Sequence, residues 1–277
     1  MKILSVGDSI CEGEYRLHSG FNCAANFINK KYFLSLVDSG IGAGPINIVV
    51  KDFDFSKAKN VKVKANSVTI NDELFQFSDS VIFDSKLHLL NIDEERLKTN
   101  LKYLKQRVIN DASDKSLAFI LDELRLKNFT TKFEENLTKT ILGGVNKIYL
   151  GKIEDGIKEI RGVGFGLTPS GDDFVAGFLF GLHLAECVGI SDANDLIKRV
   201  RAEAKSNNPI ADAFLRCAGE GCFFDHLKRL IILLCYDNDD EISRNVDNLL
   251  TIGANSGSDL LTGFITTFNN KIIQLKT

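Results

Sequence analysis

Over the first ninety or so residues the apolar positions come in short runs rich in β-branched and aromatic side chains. Phe33–Val37, Ile46–Val50, Val61–Val63, Ser67–Ile70 and Ser80–Phe83 are separated by clusters of Gly, Asn and Asp. That pattern predicts strands joined by tight turns, arranged as a small barrel or sandwich, with one helix over Asn22–Asn29. After Asp93 the period changes to that of amphipathic helices. The spacing predicts them over Glu94–Val108, Ser116–Leu126, Lys132–Leu142, Asn146–Ile160, Pro169–Val188, Asp192–Ser206, Ile210–Ala218, Phe223–Tyr236, Asp240–Leu250 and Gly257–Asn269. The expected fold class is α+β: a strand-rich N-terminal domain over 1–92, then a helical domain over 93–277.

Within the helical part, Gly162–Gly181 reads GVGFGLTPSGDDFVAGFLFG, and a shorter echo, NSGSDLLTGF, returns at Asn255–Phe264. Superposing the two pairs Ser170 with Ser256, Gly171 with Gly257, Asp173 with Asp259, Gly177 with Gly263 and Phe178 with Phe264. Each copy has the form of a helix start. Thr168 before Pro169 suits an N-cap, or Ser170 caps with Asp173 completing an S-x-x-D box, which Ser256 and Asp259 repeat. Carboxylates in a first turn are also favoured by the helix dipole, so these residues alone fit a purely structural role.

The glycines shift that balance, because each glycine inside a helix costs about 1 kcal/mol relative to alanine. Asp173, Gly177 and Gly181 share one helix face, as do Asp259 and Gly263. Two helices packed closely along these faces would bring Asp173 and Asp259 together in a polar pocket. Upstream, Gly162, Gly164 and Gly166 form a G-x-G-x-G run. It follows a helical stretch rather than a strand, and no G-K-[ST] follows it, so neither a dinucleotide fold nor a Walker loop is indicated. Free N–H groups around Gly164, Gly166, Gly171 and Gly257, with the hydroxyls of Thr168, Ser170 and Ser256, would form a substrate-binding oxyanion site. Asp172, Asp173 and Asp259 are the candidate catalytic carboxylates. They would either hold Mg²⁺ through oxygen ligands or, without a metal, orient or deprotonate an amine.

Composition narrows the partners. Lys and Arg number 34 against 37 Asp and Glu, a formal net charge of -3, which gives no overall footprint for nucleic acid or an acidic membrane. A small anionic substrate is expected instead. The start, MKILSVGDSI, is too short an apolar run for a signal peptide, and no stretch reaches the roughly 18 apolar residues of a membrane span, so a soluble cytoplasmic protein is expected. In that setting Cys11, Cys23, Cys187, Cys217, Cys222 and Cys235 read as reduced thiols.

Several other residues have a bland reading beside a functional one. Cys217, Cys222 and His226 touch on metal-ligand spacing, without a second pair nearby, and read as small side chains on helix faces. His183 follows the motif helix, Arg16 and His18 could meet an acidic substrate, and Asp237, Asp239, Asp240 and Glu241 read as a solvated helix start. The loop Gly40–Pro45, GIGAGP, reads first as a tight turn.

The segment GFGLTPSGDDFVAG resembles the signature of the AllH-like proteins, associated with the oxamate carbamoyltransferase subunit AllH. The second S-G-x-D-x-x-x-G at Ser256–Gly263 and GIGAGPINI at Gly40–Ile48 are similar to that family's pattern too. The resemblance implies a subunit of a carbamoyltransferase handling oxamate, oxalurate and carbamoyl phosphate beside partner subunits, with a place in allantoin and purine catabolism. It points to Thr168, Ser170, Gly171, Asp172, Asp173, Ser256, Gly257 and Asp259. The S-T-R-T-R phosphate motif of aspartate and ornithine carbamoyltransferases is absent, so carbamoyl transfer would use a different site. Two other functions fit the same residues: a non-catalytic ligand-binding or assembly subunit, and a Mg²⁺-dependent hydrolase built on Asp172, Asp173 and Asp259.

Overall fold

The computed structural model describes residues 1–30, 32–78, 81–164, 166–190, 193–236, 239–269 and 272. The chain forms two compact units, Met1–Leu87 with Cys222–Lys228, and His88–Gly221 with Arg229–Thr277. The mixed α+β class expected from the sequence is what the structure has.

The first unit is a curled sheet of nine strands: β1 (Lys2–Gly7), β2 (Gly13–Gly20), β3 (Ala24–Ile28), β4 (Phe33–Val37), β5 (Asn47–Lys51), β6 (Asn60–Lys64), β7 (Ser67–Ile70), β8 (Glu73–Gln76) and β9 (Ile82–Phe83), in the order β8-β7-β6-β2-β3-β4-β5-β1-β9. Pairing is antiparallel except for β4 with β5 and β1 with β9. Strict alternation in β6 and β7 buries Val61, Val63, Val68 and Ile70 on one face. There they join Tyr15, Phe27, Leu34, Leu36, Ile48 and Val50 in one core.

The helix expected over Asn22–Asn29 is instead strand β3. AANFI has no period of its own, and pairing with β2 and β4 on both sides decides its conformation. Asn26 is held in the pairing by side-chain bonds to Ser19 and Ser35. Of the strand expected over Ser80–Phe83 only Ile82–Phe83 is described as strand, Ser80 lying outside the described residues.

The GIGAGP loop seats the returning segment Cys222–Lys228. Asp225 N–H donates to the Ala43 carbonyl at 2.9 Å, and His226 Nε2 lies 3.4 Å from the Gly40 carbonyl. A side chain at Gly44 would run into the Phe224 ring. Packing within this unit thus accounts for the glycine at position 44.

The second unit is helical: α1 (Glu94–Asp111), α2 (Lys132–Tyr149), α3 (Ile153–Ile160), α4 (Ser170–Cys187), α5 (Ala193–Glu203), α6 (Pro209–Gly219), α7 (Asp225–Tyr236, whose first turn belongs to the returning segment), α8 (Asp239–Leu250) and α9 (Ser256–Thr267). The single helix expected over Asn146–Ile160 is divided at Gly151, which has φ +79° and ends α2 before α3 begins. The helix expected over Ser116–Leu126 is replaced by two 3-10 turns, Leu117–Ile120 and Glu123–Asn128, each restarted by its own cap, Ser116 and Asp122. Every residue from Gly171 to Leu182 in α4 and from Gly257 to Thr267 in α9 is buried. Helices buried all round form the middle of such a unit. α3, α5 and α6 lie against α4, while α1, α8 and the first 3-10 turn lie against α9. Among the described residues no helix is long and apolar enough to cross a membrane.

Candidate functional site

Helices α4 and α9 make the most extensive contact of any pair of elements among the described residues. Glycine explains how close they come. A Cβ on Gly177 would fall on the Leu260 carbonyl oxygen, and a Cβ on Gly263 would fall on the Phe174 carbonyl oxygen. Gly177 corresponds to Gly263 in the repeated motif and Phe174 to Leu260, so the contact is reciprocal, as a local two-fold relation between the helices produces. Further along, a Cβ on Gly181 would lie 2.5 Å from Thr267 Oγ1. The contacts climb both helices in the same order, which makes them parallel with their N-termini at one end. The close approach expected from the glycine spacing is present.

Gly171 and Gly257 do a related job nearly two turns earlier. A Cβ on Gly171 would meet the Ile160 carbonyl at the end of α3, and one on Gly257 would meet the Leu249 carbonyl near the end of α8. Each copy is therefore a helix, a turn and a buried helix seated on the helix before it. The amides of these glycines are spent locally, Gly171 N–H on the Val163 carbonyl at 2.8 Å and Gly257 N–H on the Ile252 carbonyl at 3.2 Å. The expected oxyanion cradle of free N–H groups is reduced accordingly. Gly162 N–H goes to Asp172 Oδ1 at 2.7 Å. Gly164 and Gly166, at φ +119° and +99°, shape the turn; Phe165 between them lies outside the described residues.

The expected capping boxes are not formed. The position before α4 is Pro169 and that before α9 is Asn255, and neither has a side-chain cap hydrogen bond. The hydroxyls and carboxylates are engaged elsewhere. Thr168 Oγ1 donates to Asp173 Oδ2 at 3.0 Å and lies 3.2 Å from Ser256 Oγ. The Ser256 hydroxyl also acts on Asp173, while the Ser170 hydroxyl acts on Asp259. Each serine thus serves the aspartate of the other copy.

Asp173 and Asp259 are buried at 3% and 0% exposure, whereas Thr168, Ser170 and Ser256 are half-buried. Burial raises the Asp173 pKa well above the usual carboxylate range, and the negative charges of Asp259 and Asp172 add to this against the Ser256 and Thr168 hydroxyls. Burial likewise lifts Asp259 to about 7, opposed by the Leu117 amide and the Ser170 hydroxyl. Leu117 N–H donates to Asp259 Oδ1 at 2.6 Å. Asp259 Oδ2 has no hydrogen-bond partner, and neither has the buried Ser258 hydroxyl beside it.

Asp172 has a different role. Its Oδ1 takes the Gly162 amide and its Oδ2 the Ser206 hydroxyl at 2.8 Å, tying the glycine turn to the segment before α6. Burial still raises its pKa, offset by those two donors and by Arg161. Among the described residues no three His, Cys, Asp or Glu side chains gather to hold a metal, and Asp172 is committed to its own donors.

Other sequence candidates lie elsewhere. His183 is ten positions along α4 from Asp173, about 15 Å of helix rise, and pairs with Glu186 at 3.6 Å, so it does not reach the helix starts. Arg16 and His18 are on β2, in the sheet unit. Cys222 Sγ meets Lys86 Nζ at 3.2 Å and His226 faces Gly40, so the Cys217, Cys222, His226 spacing gathers no metal ligands. Asp239 and Asp240 open α8, with Asp237 outside the described residues. Sequence reasoning missed the Leu117 amide and Ser206. Both meet their aspartates across long stretches of chain, and neither has a local signature.

These two helix starts are also where the chain is similar to known proteins. Residues 160–268 match the family model of the oxamate carbamoyltransferase subunit AllH. The AllH-like segment runs from Ile160, the seat of Gly171, to Phe268, the cap residue of α9, and so contains both copies of the motif. GIGAGPINI lies outside it. No curated protein and no solved structure matches the chain. The AllH match supports a carbamoyltransferase-related subunit.

Proposed function

We propose that this chain is a subunit of a carbamoyltransferase-type enzyme acting on oxamate, oxalurate and carbamoyl phosphate, with its ligand site at the paired starts of α4 and α9. The observation that carries this reading is the crossed Ser170–Asp259 and Ser256–Asp173 arrangement inside the AllH-like segment. Two parallel helices present their positive ends to one place, which favours an anion. Burial favours the neutral form of both carboxyl groups, which weakens their repulsion of the anion and leaves Asp259, at about 7, able to take up a proton.

In the synthetic direction the oxamate nitrogen attacks the carbamoyl carbonyl, phosphate leaves, and the nitrogen's proton passes to a carboxylate of the pair. In the reverse direction phosphate attacks the carbamoyl carbon of oxalurate, and oxamate leaves with the returned proton. Asp173 and Asp259 hold and orient the reacting amide; Thr168, Ser170 and Ser256 bind beside them. Asp172 holds the glycine turn.

Formation of carbamoyl phosphate from oxalurate and phosphate tests the reading, on the chain alone and with its partner subunits. The double variant Asp173→Asn/Asp259→Asn should lose turnover while keeping its helical circular-dichroism spectrum; full activity would contradict the assignment. Two observations favour a second reading, a ligand-binding or assembly subunit: the matching family is named for a subunit, and the amides of Gly171 and Gly257 are already used within the fold. Turnover by partner subunits that is indifferent to the double variant would decide for it.

A further inference from the structure

A separate cluster of reactive side chains lies within the sheet unit, where the returning segment Cys222–Lys228 runs beside the residues that follow β9. Phe223 N–H donates to the Ser85 carbonyl at 2.8 Å, and Lys228 Nζ donates to the Asp84 carbonyl at 2.6 Å. Asp8, at the end of β1, fixes Ser85 in turn: its Oδ2 takes both the Ser85 amide and the Ser85 hydroxyl at 2.9 Å. These anchors on either side bring Lys86 and Cys222 together, with Nζ 3.2 Å from Sγ. Ser9 places its Oγ 3.7 Å from the same sulfur. Cys222 is 4% exposed, Ser9 is half-buried and Lys86 is exposed, so the pair spans the boundary between the packed segment and solvent.

An amine and a thiol held in contact are two halves of a bond that lacks only an oxidant, because a cysteine oxidised to sulfenic acid condenses with a neighbouring nitrogen. We propose that Lys86 and Cys222 form a modification site at which hydrogen peroxide joins Nζ to Sγ. Peroxide first transfers one oxygen to the Cys222 thiol, giving the sulfenic acid and water. The Lys86 amine, its extra proton given up to solvent, then attacks the sulfur; the S–O bond breaks, and the departing hydroxide takes a proton from the nitrogen and leaves as water. Thiol, amine and one peroxide become a sulfenamide and two waters, with sulfur oxidised and peroxide reduced. The new bond joins positions 136 apart in the chain and fastens the returning segment to the loop after β9. A thiol reductant reopens it. The site shares no residue with the starts of α4 and α9 and stands independently of the carbamoyltransferase reading.

The experiment is peptide mass spectrometry of the purified full-length chain after hydrogen peroxide, with and without later dithiothreitol. The wild-type chain should yield the Lys86 and Cys222 peptides joined, lighter by two hydrogen atoms than their sum, and dithiothreitol should release them. Lys86→Arg keeps a positive charge beside the sulfur and removes the nucleophilic amine; it should lose the joined peptide and let Cys222 pass on to the sulfinic acid. Cys222→Ser should lose the joined peptide as well, whereas Cys23→Ser/Cys187→Ser, which removes two exposed thiols, should retain it. The inference is overturned by a Cys222 that stays reduced while Cys23 and Cys187 oxidise, or that reaches the sulfinic acid in the wild-type chain without joining Lys86. A disulfide from Cys222 to Cys11, whose thiol lies 4.0 Å from the Ser9 carbonyl, would overturn it too, as would a joined peptide that persists in Lys86→Arg.

Discussion

The first and second helix starts share five residues at fixed spacing, Ser, Gly, Asp, Gly and Phe, and differ in how their polar atoms are satisfied. Gly171 and Gly257, and Gly177 and Gly263, do the same work in both copies: each lets a backbone carbonyl come where a methyl group would otherwise sit. Asp173 takes the Thr168 hydroxyl from its own turn, while Asp259 takes an amide 142 residues away together with the Ser170 hydroxyl of the other copy. What the copies share is packing; what distinguishes them is the state of the acids. A repeat that kept its glycines and varied its hydroxyls has held a backbone frame constant and changed the chemistry within it.

Breaking the shared part should have the largest effect on stability. Gly177→Ala and Gly263→Ala each drive a methyl group onto a backbone carbonyl that cannot rotate away, and each should cost about 3 kcal/mol or more. Gly181→Ala meets the Thr267 side chain instead and should cost less. Denaturant titration of the three variants checks the order, and near-equal costs for Gly177 and Gly263 would confirm the reciprocal packing.

Next comes the acid pair. Asp259 has a folded-state pKa of about 7 against 3.8 for the ordinary carboxyl, so between those values the folded chain retains a proton that the unfolded chain releases. Its favourable contribution is therefore complete below about pH 4 and is lost as pH rises to about 7. Asp259→Asn removes the cost of ionising the buried group and should stabilise the protein at pH 8 by up to about 4 kcal/mol, with little effect at pH 4. Unfolding free energies measured across that range should show the difference growing with pH; a constant difference would contradict a raised pKa. The smallest effect is expected from Thr168→Ala, which turns the first helix start into a likeness of the second. Loss of one hydrogen bond to a buried carboxyl should cost about 1 kcal/mol.

These features were legible in the sequence to different degrees. Strands β6 and β7 alternate one residue in, one out, and are readable in isolation; β3 is not, because its AANFI takes its conformation from neighbours on both sides. The closeness of α4 and α9 was readable from glycine, since glycine at four-residue spacing in an otherwise apolar helix has few other uses. The capping boxes implied by Ser-x-x-Asp are absent because each side chain found a partner across the helix pair or in the 3-10 turn at Leu117. Local spacing carries no information about a donor 142 residues away. Asp172 was grouped with the catalytic acids for the same reason: adjacency to Asp173 is visible in the sequence, and the Gly162 and Ser206 donors that occupy it are not.

The claim that the two helix starts face a single site with coupled acids is tested most directly by carbon-detected NMR titration of the aspartate carboxyl groups. Spectra of the wild-type chain, Asp173→Asn and Asp259→Asn assign the two resonances. The account predicts that Asp259 titrates near 7 in the wild-type chain, that Asp173 titrates well above the usual range, and that removing the Asp259 charge lowers the pKa of Asp173. Two carboxyl groups titrating near 4, with Asp173 unmoved by Asp259→Asn, would contradict it.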